Sequence, residues 1–136
     1  MSKEMSELAA ELDRGASTVS LRKGTSLFHC GDPVSGVFIV RRGAVTLSLD
    51  APNTVYPPRT LGPGEIAGLP AALTGIYSLS ARAIEDSILG FVPGRKVTEI
   101  LECHPQLSLL VMRLMSQEIA SMRSALRATP ALDADQ

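Results

Sequence analysis

Between Thr18 and Val92 the apolar residues come only in short runs, each soon cut off by glycine or proline, and this spacing constrains the fold more than any other feature. Val19 and Leu21 alternate with polar residues, and Leu27-Phe28 precede the turn Gly31-Asp32-Pro33. Val37-Phe38-Ile39-Val40 reads as a buried strand, with Arg41-Arg42-Gly43 as a hairpin turn into Val45-Thr46-Leu47-Ser48-Leu49. Ala51 to Pro58 is polar and proline-containing, a loop or hairpin tip, and Leu61-Gly62-Pro63-Gly64 is the strongest breaker in the chain. Ser78 to Ile84 and Ile88 to Val92 read as two further strands. Strands spaced this closely, with turns between them, form an antiparallel roll, sandwich or barrel.

Both flanks are helical. Glu4 to Asp13 places Met5, Leu8, Ala9 and Leu12 on one side of a short helix that Gly15 ends. Gly68-Leu69-Pro70-Ala71-Ala72-Leu73 reads as one short helix with proline in its first turn. Pro93 to Glu102 is a third helix, and Pro105 to about Arg127 a long one without internal Gly or Pro. The organisation is therefore a helical segment over 1–17, a domain over 18–127 that includes the helix at 105–127, and a flexible tail over 128–136.

Composition narrows the function classes. Aromatic residues make up only 4% of the 136, so Val, Ile, Leu and Ala are expected to supply the core. A net charge of −1 gives no basic field to recruit nucleic acid directly. Apolar runs fall well short of the ~18–20 residues a membrane span requires, and the polar N-terminus has no apolar signal core. With only two cysteines there is no disulfide framework, and a soluble cytoplasmic protein is the expectation. His29-Cys30 and Cys103-His104 form mirrored pairs that a zinc ion would have to draw together, and nothing in the sequence does so; no metal is expected. No nucleophile–base pair or converging histidine set is visible, so no enzyme is expected either.

A glycine-punctuated β region, a short helix within it and a long C-terminal helix together resemble the cyclic-nucleotide-binding domains of Crp/Fnr-type bacterial regulators. Gly24, Gly31-Asp32 and Gly43 match the family's turn glycines, and Leu61-Gly62-Pro63-Gly64-Glu65-Ile66-Ala67-Gly68 resembles the approach to its phosphate-binding cassette. The resemblance covers Thr18 to Arg127. It implies a mainly β fold with flanking helices: an antiparallel, jelly-roll-like β-roll with a short N-terminal helix, a cassette helix and a long C-terminal helix.

The resemblance also implies a ligand site. A cyclic phosphate calls for backbone N–H groups and a guanidinium, and the ribose hydroxyl for a carboxylate. The family supplies a glutamate after the cassette glycine and an arginine before a small hydroxyl residue. Matched here, the glycine is Gly68, the glutamate position is Leu69, and the arginine position is Tyr77, followed by Ser78. Both charged contacts are missing. The degenerate pocket is expected at Gly68, Leu69, Ala71, Ala72, Tyr77, Ser78, Ser80 and Arg82, where Arg82, on the strand face of Ser78 and Ser80, is either a substitute cation or a solvent-reaching arginine. Taking Gly64-Glu65 as the family's Gly-Glu pair restores the acceptor but leaves Leu61 to Gly64 and Gly68 unmatched. The family's adenine-reaching hydroxyls fall near Met122 and Arg123, with Ser121 and Ser124 close by.

Met112, Met115, Ile119, Met122 and Leu126 recur at alternating three- and four-residue steps, an a/d seam, while Leu107, Leu110, Val111 and Leu114 form a second apolar stripe. Two apolar faces suggest that one packs on the roll and the other meets a partner, the alternative being a seam that packs on its own domain; the resemblance implies a homodimer through this helix. About nine residues follow Arg127, too few for the helix-turn-helix those regulators carry next, which leaves a lone sensor domain or a shortened regulator. Three functions stay open: a sensor whose pocket has turned to a ligand other than a cyclic nucleotide, a dimerisation or partner-docking domain with a collapsed pocket, and a weak cyclic-nucleotide binder.

Overall fold

The computed structural model describes residues 3–49, 58–69 and 71–127, and of residues 3–5, 73, 114–115, 118–119 and 121–127 the backbone alone. Helix α1 (Lys3–Asp13) precedes strands β1 (Ser17–Leu21), β2 (Ser26–Phe28), β3 (Gly36–Arg42), β4 (Val45–Ser48), β5 (Arg59–Leu61) and β6 (Ile66–Ala67). Helix α2 (Ala71–Thr74), strands β7 (Ser80–Ala83) and β8 (Ser87–Pro93), and helices α3 (Gly94–Cys103) and α4 (Pro105–Arg127) follow. Two antiparallel four-stranded sheets, β1-β8-β3-β6 and β2-β7-β4-β5, face each other as a roll.

The unbroken apolar run in β3 has a direct cause: both faces of that strand are buried. Val37 and Ile39 turn outward into a core shared with Leu8 and Leu12 of α1, Val97 and Leu101 of α3, and Leu110 and Val111 of α4. Phe38 and Val40 turn inward, between the sheets, to meet Phe28, Val45, Leu47, Leu61 and Leu89. One sheet therefore has a helical coat on one side and its sister sheet on the other. Arg41 fastens α1 to this sheet, its guanidinium lying 2.9 Å from Asp13 Oδ1 and donating to Thr18 Oγ1 at 2.8 Å.

The turn after β3 differs from the hairpin that its sequence suggests. β3 pairs with β6 and β8, and β4 with β5 and β7, so Arg41-Arg42-Gly43 carries the chain from one sheet to the other. Gly43 makes that corner at φ 93°, with Ser87 Oγ and the Asp86 carbonyl where a Cβ would stand. β5 and β6 are too short to stand out in the sequence, and β7 begins at Ser80 because Ser78 lies in a bend. The expectation that aliphatics alone build the core is also corrected. All three phenylalanines and Tyr77 meet in one aromatic group, with Tyr77–Phe28, Phe28–Phe38 and Phe38–Phe91 ring centroids 3.7, 6.2 and 5.0 Å apart.

The described apolar residues at the start of α4 divide between packed and exposed positions. Leu110 and Val111 are buried against the roll and Leu107 packs beside them, whereas Leu109 and Met112 stay 61% and 54% exposed. The side chains of Leu114, Met115, Ile119, Met122 and Leu126, and the tail 128–136, lie outside the described residues. No helix among the described residues is long and apolar enough to cross a membrane.

Candidate functional site

The site forms where the segment after β6 folds back over the mouth of the roll. Gly68 takes φ 89°, a left-handed turn that sends Leu69 toward the helices and returns the chain into α2. A Cβ on Gly68 would stand 3.1 Å from the Tyr77 ring, so the backbone here is pressed against that side chain. On the far side of α2 the chain is anchored to the Gly31-Asp32 turn. Tyr77 N–H donates to the Asp32 carbonyl at 3.0 Å, and Gly31 N–H to the Tyr77 carbonyl at 2.8 Å.

Tyr77 is the most heavily used residue of the site. It is only 2% exposed, and its ring lies flat on Phe28 with an interplanar angle of 6°. Its hydroxyl donates to the Gly36 carbonyl at 2.7 Å and accepts from the Ser35 and Gly36 N–H groups at 3.2 Å each. A phenol buried in an apolar setting needs such a partner. The backbone supplies it.

The structure brings Gly68, Ala71, Tyr77 and Ser78 to one cavity with Phe28, Leu47, Arg59, Ile66 and Leu79. Its volume is about 40 Å³. A water needs roughly 10–15 Å³ on this measure, and small-molecule sites are typically about 300–1,000 Å³. The space therefore suits a few waters.

Four residues expected to line the pocket are elsewhere. Leu69 is 3% exposed in the core beneath the helices, and Ala72 packs against that same core. Ala72 N–H is already bonded to the Leu69 and Gly68 carbonyls at 3.1 and 3.3 Å, so it offers no donor. Ser80 and Arg82 share a strand face, as alternation requires, but it is the outer one, because Leu79, Ala81 and Ala83 take the inner positions. Arg82 therefore does not stand in for the missing arginine at this cavity.

Arg59 is the residue that sequence reasoning misses. It opens β5 directly after the proline-containing stretch, where only a loop is legible, and it lines the cavity wall. The mirrored Cys/His pairs stay apart in their roles. His29 Nδ1 lies 3.7 Å from Asp32 Oδ2, His104 Nε2 lies 3.6 Å from Glu11 Oε2, and both cysteines are exposed free thiols.

The architecture agrees with the comparison to known families. Residues 18–104 match the model of the cyclic nucleotide-binding domain. The chain belongs to that family. Its relatives are Crp/Fnr-type regulators: it is 39% identical over 100 residues to the transcriptional activator protein Anr of Pseudomonas aeruginosa, covering 73% of this chain and 41% of Anr. The chain thus spans less than half the length of that regulator. The fold is shared with the catabolite activator protein of Thermus thermophilus (TM-score 0.69, 24% identity, 93% of this chain and 59% of that one). It is shared too with the cAMP-bound form of the EAL enzyme Bd1971 (TM-score 0.60, 27% identity, 74% of this chain and 29% of that one).

Tyr77 should dominate the stability of this region. Tyr77→Phe keeps the ring stack but strands the Gly36 carbonyl, and is expected to cost about 1–2 kcal/mol in urea unfolding. Tyr77→Ala removes the stack as well and is expected to cost about 3–5 kcal/mol. Equal losses for the two variants would mean that the hydroxyl, not the ring, carries the effect.

Proposed function

We propose that this chain is a non-enzymatic, cytoplasmic sensor or regulatory domain of Crp/Fnr type, and that its roll is closed by its own Tyr77 and not completed by a cyclic nucleotide. One observation carries the reading: the position where the family resemblance calls for an arginine holds a tyrosine that is 2% exposed and satisfied by backbone. A cyclic nucleotide entering here would have to displace that ring, break its hydrogen bonds, and bury a phosphate without the usual arginine. The glutamate position supplies no replacement contact, since Leu69 faces the helices.

The output of such a domain lies in its long helix. Met112 and Leu109 stay exposed on α4 although Leu110 and Val111, their neighbours, are buried. Exposed apolar residues beside a buried stripe fit a second copy of the chain, which makes a homodimer through α4 part of this reading. That Anr is a transcriptional activator supports a role in transcription regulation, with any contact to nucleic acid made by another part of the regulator.

The cAMP-bound form of Bd1971 favours the rival reading of a weak cyclic-nucleotide binder, for which Arg59 and Ser78 at the cavity would supply the contacts. Thermal shift separates the two. At ~1 mM cAMP or cGMP, a Kd near ~10 μM would add ~2.7 kcal/mol of stability. No shift is expected; a clear shift that Arg59→Gln or Ser78→Ala removes would establish the rival. For the dimer, Ile119→Glu with Met122→Glu is expected to leave a 14.4 kDa monomer by light scattering. A variant that stays dimeric would take the seam out of the interface.

A further inference from the structure

Arg82, unused by the cavity, has its own surroundings on the outer face of the sheet β2-β7-β4-β5. Ser26 of β2 and Thr46 of β4 stand directly across from it on the two neighbouring strands. In the next row, Ser48 of β4 stands across from Ser80. These residues, with His29 at one end, line a groove of about 260 Å³. No aspartate or glutamate is among the lining residues, and Arg82 makes no ion pair or hydrogen bond among the described residues.

An arginine on a solvated strand commonly gains from an opposite charge directly across the ladder. Arg82 has a hydroxyl residue on each side instead. A planar guanidinium offers two parallel N–H donors, and serine and threonine hydroxyls add further donors around it. That set matches an acceptor carrying several oxygens and negative charge. Ser80 has a supporting part: it is 8% exposed, and its Oγ accepts from Cys30 N–H at 2.9 Å, which holds the β2 end against the strand that carries Arg82.

We propose that this groove binds a tetrahedral oxyanion, as inorganic phosphate or as the head group of a small phosphate monoester, with Arg82 as the anchor and Ser26, Thr46 and Ser48 as hydroxyl donors. The site lies on the face opposite the Tyr77 cavity and shares none of its lining residues. It therefore stands or falls independently of whether cyclic nucleotides bind inside the roll.

The test is an amide ¹H–¹⁵N titration of the whole chain, at fixed pH and ionic strength, with sodium phosphate, glycerol phosphate and glycerol. Saturable shifts at Ser26, Thr46, Ser48 and Arg82 are expected with either phosphate and none with glycerol. Binding of inorganic phosphate alone assigns the groove to the free ion; binding of both assigns it to a monoester head group as well. Arg82→Gln is expected to abolish saturation while the rest of the spectrum stays in place. Thr46→Val with Ser48→Ala, which keeps the charge, should weaken binding about tenfold, as the loss of one or two hydrogen bonds would. Absence of saturable shifts, or shifts that persist unchanged in Arg82→Gln, would overturn the proposal.

Discussion

The phenol of Tyr77 donates to the Gly36 carbonyl at the head of β3, and its ring rests on Phe28 of β2, so one side chain joins two strands that belong to different sheets. The segment that carries it is held in turn by the Gly31-Asp32 turn. An arginine at this position would bring a charge into an apolar enclosure and would need an anion to compensate it. Tyrosine needs one acceptor, and the backbone supplies it. Tyr77 therefore closes this part of the roll with contacts drawn from the chain itself.

The same segment reaches both cores. Leu69 packs beneath the helices with Val37, Val97 and Leu101, while Ala71 and Tyr77 pack between the sheets with Phe28 and Leu47. Gly68, left-handed at φ 89°, stands between Ala67, which packs between the sheets, and Leu69, which packs beneath the helices. Any rearrangement at the cavity would move Leu69 against α3 and the buried stripe of α4. One continuous core thus joins the cavity's backbone to the base of α4.

Much of this was legible in the sequence because it depends on local pattern. The short runs cut by glycine and proline give the antiparallel roll, and the unbroken Val37–Val40 run marks a strand covered on both faces. Helical spacing likewise separates buried Leu110 from exposed Met112 on α4. The rest depends on pairing between distant parts of the chain. A two-arginine-glycine turn looks the same whether its strands pair with each other or join opposite sheets. Alternation sets Ser80 and Arg82 on one side of β7, but which side is inner depends on Leu79 and Ala81 finding the second core. Arg59 lies in a three-residue strand that exists through pairing with β4, so its place at the cavity had no local sign.

The central claim is that the roll is closed without a ligand, and residue-resolved amide hydrogen exchange tests it most directly. The groups to follow are the Ser35 and Gly36 amides, which donate to the Tyr77 hydroxyl, and the Tyr77 amide, which donates to Asp32. A closed roll predicts that all three are strongly protected in the free protein and that ~1 mM cAMP or cGMP leaves their rates unchanged. Near-unprotected exchange in the free protein, with protection gained on adding the nucleotide, would contradict it.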